Sequence, residues 1–251
     1  MSAIISVKNL GIHATASGRA LVDGISFDVH PGETVGLVGE SGSGKSLTLR
    51  AIMGLLPEGV TLTDTESITV AEQKRLAMIF QDPVSSLDPL TGVVKQVAEV
   101  LRYNQHMNRH EARVQAADLL ISLGLPQSLR TADRYPGQLS GGQCQRVGIA
   151  IALATKPNIL LCDEPTTALD VTVQLQILDL LADLRQRLGL TMLFVTHNLG
   201  VAAHVCDRLI VMQHGHIVET GPTTAVLHHP QQEYTRRLVS AILPIPGEQH
   251  R

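Results

Sequence analysis

Short apolar runs alternate along this chain with longer stretches of helical periodicity, and Gly, Pro, Asn and Asp punctuate the boundaries. ISVKNL (5–10), GISFDV (24–29) and TVGLVG (34–39) read as strands, with the turn HPGE (30–33) ahead of the third. TVGLV is apolar on both alternating faces, as a strand covered on both sides requires. A helix is predicted from Lys45 to Leu56, stopped by Pro57. Residues 57–75 are polar and irregular, and RLAMIF (75–80) looks like the next strand. The pattern from Thr91 to Leu125 is helical, with a break near NQHMNRH. There Ala112, Val114, Ala117, Leu120 and Ile121 are predicted to share one apolar stripe. NILLC (158–162) and TMLFVT (191–196) read as buried strands, and VTVQLQILDLLADLRQRL (171–188) between them as a helix. RLIVMQ and HIVET follow as two short strands around the turn His214-Gly215. Strands alternating with helices imply an α/β fold with a mostly parallel sheet.

Composition narrows the function classes. The chain has 251 residues, of which 44% are hydrophobic and 17% charged, enough for one α/β domain with a sizeable core. A net charge of -3, no Lys/Arg run, 2% aromatic residues and no Trp exclude a nucleic-acid partner. Cys144, Cys162 and Cys206 are odd in number and far apart, with no CxxC pair, so no disulfide or zinc framework is expected. They fit a reducing compartment. No cysteine cluster precedes Arg251, so no iron–sulfur site is expected either. MSAIISVKNL lacks a basic n-region, so no signal peptide is expected, and no run of about 18 apolar residues could span a bilayer.

GESGSGKS, directly after the apolar run, has the spacing G-x-x-x-x-G-K-S. Phosphate oxygens need backbone N–H groups crowded around them, which Gly39, Gly42 and Gly44 permit. A helix starting near Lys45 points its dipole at the anion. Lys45 can reach the β- and γ-phosphates, and the Ser46 hydroxyl can ligate Mg2+. The candidate nucleotide contacts are Gly39, Glu40, Ser41, Gly42, Ser43, Gly44, Lys45, Ser46 and Leu47. A plain glycine-rich turn is the competing reading. NILLCDEP then delivers Asp163 and Glu164 at the C-terminal edge of a buried strand, where open α/β sheets bind ligands. Asp163 suits the metal and Glu164 suits a general base on the attacking water.

LSGGQ (139–143), followed by Arg146, joins these motifs in order with THN (196–198). The set resembles the ATP-binding subunit of an ABC transporter over nearly the whole chain. The resemblance implies a P-loop NTPase fold in a single domain, 1–251. A helical signature subdomain, about 84–156, would be inserted in it, with a reduced antiparallel β subdomain and a tail from about 222 to 251. It implies a dimer with a second ATPase subunit, identical or homologous, that sandwiches two ATP molecules. Ser140, Gly141, Gly142 and Gln143 would then form a second anion cradle at a helix N-terminus. It further implies that Gln81 contacts Mg2+ and the attacking water, that Asp170 crosses the dimer interface and that His197 bonds the γ-phosphate. The adenine-stacking position falls near His13. Cys144 stands where the family commonly has Gln, and Asn198 where it commonly has Asp.

IFQDPVSSLDPL, DEPTTALDVTVQLQILDLL and HHPQQEYTRRLVSAILPIP resemble the oligopeptide, dipeptide and nickel importers, the nickel-type D subunit among them, so the resemblance implies an energy-coupling ATPase for nickel, a metallophore or a di- or oligopeptide. That branch implies two transmembrane permeases, an extracytoplasmic substrate-binding protein and a peripheral place on the cytoplasmic face of the membrane. The alternative is a soluble ABC-type ATPase that serves as an interaction module and keeps every nucleotide motif. PVSSLDPLTGVVKQVAEVL separates the two, because it resembles the surface that receives a permease's coupling helix. His214, His216, His228 and His229 read as solvated loop residues, since none has a second ligand pair at convincing spacing.

Overall fold

The computed structural model describes residues 2–241; Met1 and residues 242–251, the last part of the expected tail, lie outside the described residues. Strands β1 (Ile5–Ala14), β2 (Ala20–Val29) and β3 (Thr34–Val38) lead into helix α1 (Lys45–Met53). Three short strands follow, β4 (Val60–Leu62), β5 (Ile68–Val70) and β6 (Leu76–Ile79). Next come the helices α2 (Val93–Gln105), α3 (Arg109–Ser122) and α4 (Gly141–Ala154). The rest runs β7 (Ile159–Asp163), α5 (Val171–Leu188), β8 (Thr191–Thr196), α6 (Leu199–Val205), β9 (Arg208–Gln213), β10 (His216–Pro222), α7 (Thr223–His228) and α8 (Glu233–Ser240). Contacts divide the chain into two compact units. One holds the residues up to Lys74 with those from Thr191 onward; the other is Arg75–Leu190.

In the first unit, β1 pairs antiparallel with β2, β4 and β5. The stretch 57–75, expected to be irregular, thus contributes two strands of three residues each. They are too short to show an alternation of their own and exist because β1 offers them an edge. A second sheet runs β10-β9-β3-β8. β3 is parallel to both β8 and β9, and β10 returns antiparallel to β9. All five residues of β3 and all six of β8 are buried, which explains their unbroken apolar composition. Helix α1 buries Thr48, Leu49, Ala51 and Ile52. It ends at Met53, three residues before the predicted Leu56, because the Gly54 N–H returns to the Ala51 carbonyl at 3.0 Å.

In the second unit, β6 and β7 are parallel, with Ile79 opposite Cys162. The expected helical subdomain, 84–156, falls inside this unit, which also holds β6, β7 and α5. Helix α2 buries Val93, Val97 and Leu101 at four-residue spacing, with Val94 and Ala98 beside them. The predicted break falls where His106 takes a left-handed conformation and Asn108 caps α3, accepting from the N–H groups of His110 and Glu111. The buried stripe of α3 is Ala112, Ala116, Ala117 and Leu120. Val114 is not part of it and is 46% exposed. At about 100° per residue, two positions past Ala112 is the opposite face.

Candidate functional site

The phosphate-loop motif spans the gap between β3 and α1. Gly39 takes φ 147, and a Cβ there would collide with the carbonyl oxygen of Met212 in β9. Only glycine lets the loop leave the sheet this way. Lys45 is buried and turns back over the loop. Its Nζ donates to the carbonyls of Gly39 (2.8 Å) and Glu40 (2.7 Å) and to Ser43 Oγ (3.3 Å). No side chain caps the N-terminus of α1 and its first turn carries no acidic residue, so its dipole favours an anion at the loop. Ser46 and Leu47 are half-buried in its first turn, while Glu40, Ser41 and Gly42 are exposed. We expect Gly39→Ala to destabilise the fold by about 1–3 kcal/mol through this collision. Thermal unfolding would then shift down by roughly 2–4 °C per kcal/mol in a chain of this size, and MgATP would no longer raise the midpoint.

Two further groups of the first unit stand in the predicted set. Val38 pairs with Thr196 across β3 and β8, so His197 leaves the sheet at the same edge as Gly39. It is exposed, and Asn198 behind it starts α6 by accepting from the N–H groups of Gly200 (2.9 Å) and Val201 (3.3 Å). An Asp there would make the same cap, so Asn198 keeps the turn that follows His197. His13 lies in β1 opposite Ala20, with Nδ1 2.8 Å from Thr63 Oγ1.

In the second unit, Asp163 ends β7 and is fully buried. Glu164 follows with φ 46, a left-handed conformation that costs a non-glycine residue on the order of 1 kcal/mol. Its Oε2 accepts from Thr167 Oγ1 at 2.8 Å and from Gln81 Nε2 at 3.4 Å. The β6–β7 register, which sets Ile79 beside Cys162, is what brings Gln81 and Glu164 together. Burial, and after it the neighbouring Asp163 charge, push the Cys162 thiol far above its ordinary range, which leaves it inert.

The LSGGQ stretch sits at the start of α4. Ser140 Oγ accepts from the Gln143 N–H at 3.3 Å, and Gln143 Oε1 accepts from the Ser140 N–H at 3.0 Å, a reciprocal capping box. A Cβ on Gly142 would collide with Val173 of α5, so glycine permits the close approach of α4 to α5. Asp170 caps α5 by accepting from the same Val173's N–H at 3.0 Å. Gly141 and Ser140 are exposed in front of this packed corner. Cys144 is buried, and its thiol donates to the Pro136 carbonyl at 3.6 Å. Just beyond Gln81, Asp82 Oδ1 accepts from the N–H groups of Val84 (3.0 Å) and Ser85 (3.2 Å). Those bonds, Ser85's first, hold the Asp82 carboxyl below its ordinary range. Asp88 likewise accepts from the Leu90 N–H (2.9 Å) and Thr91 Oγ1 (2.6 Å). These turns present Val84 (52%) and Leu90 (86%) to solvent.

Residue patterns did not reveal three participants. Tyr234 Oη accepts from the Glu40 N–H at 3.0 Å, and the Gly215 N–H donates to the Ser43 carbonyl at 3.1 Å. Thr167 is the third, and its place three residues after Glu164 was the one available signal. Among the described residues, no group of three or more His, Cys, Asp and Glu is placed to hold a metal ion.

The chain matches the ABC transporter family over residues 22–167. It is 44% identical to the peptidoglycan transport ATP-binding protein YejF of Agrobacterium fabrum, over 95% of this chain and 47% of that protein. It is 40% identical to the glutathione import ATP-binding protein GsiA of Escherichia coli K12, over 95% of this chain and 42% of that protein. The chain thus spans a little under half the length of these curated relatives. Among solved structures it is similar to cbiO1 from Clostridium perfringens, part of the ABC transporter complex cbiONQ. The TM-score is 0.75 at 26% identity, covering 97% of each chain. It is also similar to the ATP-binding cassette MJ0796, solved as a dimer in a post-hydrolysis state bound to ADP and Pi. There the TM-score is 0.72 at 30% identity, covering 87% of this chain and 98% of that one.

Proposed function

This chain belongs to the ABC transporter family, and on that premise we propose that it is the ATP-hydrolysing, energy-coupling subunit of an importer for peptide-like cargo. The observation that carries the reading is the Glu164 carboxylate, 2.8 Å from Thr167 and 3.4 Å from Gln81, directly after the buried Asp163. A carboxylate oriented by two donors is suited to take a proton from an attacking water. Lys45 turns from the loop carbonyls to the β- and γ-phosphates, and His197 donates to the γ-phosphate as charge develops there. The hydroxyl of Ser46, the carboxylate of Asp163 and the amide oxygen of Gln81 are the hard oxygen donors that Mg2+ takes. Those residues would hold the ion, which neutralises phosphate charge when bound.

Ser140 and the start of α4 make the second anion cradle, and the reading assigns it to the nucleotide of a second ATPase subunit, identical or homologous. The dimeric state of MJ0796 supports this assignment. ATP then joins two protein faces and hydrolysis releases them. Asp170, exposed ahead of α5, belongs to the same interface. Val84 and Leu90, held outward by the Asp82 and Asp88 turns, suit the docking of a permease helix. Among the described residues no helix is long and apolar enough to cross a membrane. On the importer reading the chain sits at the cytoplasmic face of the membrane against two permeases, with a substrate-binding protein outside. The names of the two relatives, peptidoglycan transport and glutathione import, favour peptide-like cargo over nickel.

Ser140→Arg tests the dimer. A bulky cation in the cradle should cut steady phosphate release from MgATP about 100-fold or more. ATP affinity, measured by equilibrium binding, should stay within about twofold because the variant's own loop is intact. An equal loss of affinity would assign Ser140 to its own chain's nucleotide and undo the reading.

A further inference from the structure

The start of the phosphate loop is anchored by a residue outside every nucleotide motif. Tyr234 of α8 is 6% exposed, and its hydroxyl accepts the Glu40 N–H at 3.0 Å across 194 residues of sequence. Helix α8 is itself tied down. Glu219 of β10 accepts from the N–H groups of Gln231 (2.9 Å) and Gln232 (3.1 Å), just ahead of the helix. Arg237 stands over the Tyr234 ring, 6.0 Å from its centre. The β9–β10 turn takes the other end of the loop, where the Gly215 N–H donates to the Ser43 carbonyl at 3.1 Å. Between these two anchors, Ser41 and Gly42 are exposed, and open space surrounds Gly42.

We propose that Tyr234 is a positioning residue for the phosphate loop, so that the C-terminal helix α8 sets the affinity for nucleotide. The inference rests on the nucleotide reading above. Lys45 here bonds the Gly39 carbonyl at 2.8 Å, and that carbonyl shares its peptide group with the Glu40 N–H. A lysine that turns to a phosphate gives up that bond. The Gly39–Glu40 peptide is then held from its N–H side by Tyr234, and the loop enters the bound state already shaped. Burial raises the Tyr234 hydroxyl above the ordinary tyrosine range, more than the Glu40 N–H bond lowers it. The hydroxyl therefore remains a neutral acceptor at working pH.

Tyr234→Phe in the full chain removes the hydroxyl and keeps the ring. ATP affinity should fall about fivefold, the equivalent of roughly 1 kcal/mol. The loss should appear in KM, with kcat within about twofold of the parent. In the nucleotide-free chain, hydrogen exchange at the Glu40 amide should accelerate. Unchanged ATP affinity would overturn the proposal, whatever happens to the melting temperature, because a purely structural tyrosine would move only the latter. A fall in kcat as large as the loss of affinity would also overturn it, by placing Tyr234 in the chemical step. If the parent chain bound no ATP, the nucleotide reading would fail on its own. The exchange measurement would still decide whether Tyr234 holds the loop.

Discussion

Replacing Glu164 by Gln should reduce steady ATP hydrolysis by about 100- to 10,000-fold, the usual contribution of a positioned general base. The substitution keeps shape and most contacts. The amide oxygen of the new side chain can still accept from Thr167 Oγ1, which now stands 2.8 Å from Glu164 Oε2. What disappears is a group that can accept a proton from water. The left-handed backbone at φ 46 suits Gln no worse than Glu, so the fold should be unaffected. ATP binding should persist, and the closed dimer should accumulate because ATP is no longer consumed. Phosphate release and equilibrium binding on the same preparation check both halves. Hydrolysis at the parent rate would remove Glu164 from the base role and leave Asp163 without its proposed neighbour in the chemistry.

Lys45→Ala acts one step earlier. The Lys45 ammonium is buried against the Gly39 and Glu40 carbonyls at 2.8 and 2.7 Å. A charged hydrogen bond of this kind contributes about 1.5–3 kcal/mol. Losing it toward phosphate should weaken ATP binding by about 10- to 150-fold. The loop should loosen as well, because the same ammonium ties its two carbonyls together. Titration with ATP should therefore show lost affinity, and hydrolysis at saturating ATP should fall with it. Full affinity in Lys45→Ala would refute the assignment of GESGSGKS to phosphate.

The parts of the site that chemistry restricts most were legible in advance. A phosphate loop needs glycine where a Cβ would strike the Met212 carbonyl, and it needs a lysine inside the first turn of the following helix. Few other residue types satisfy that, so GESGSGKS announces itself. The limits of α5 and β8 were legible for a similar reason. Asp170 caps the helix and Gly189 closes it in a left-handed conformation, and every position of TMLFVT is buried. Local pattern failed where partners are distant. β4 and β5 are strands only because β1 lies beside them. Val114 is apolar and β-branched, which suggested a core place, but its angle on α3 turns it to solvent. Helix α8 buries only Tyr234 and Thr235 in eight residues, too few for a periodic signal. The Tyr234–Glu40 contact spans 194 residues and has no trace in either neighbourhood. Its Tyr-Thr-Arg surroundings marked a branch of the family without disclosing what the tyrosine touches.

Work for a membrane importer should be visible in what this chain binds. It is decided by affinity purification of the full chain from solubilised membranes of its native host, with mass spectrometry of what accompanies it. Two permeases and a second ATPase subunit should accompany it, with a peptide-binding capture protein recovered beside them. Recovery from the soluble fraction alone, with no membrane protein attached, would contradict the importer reading and return the chain to the class of ABC-type ATPases that never meet a transporter.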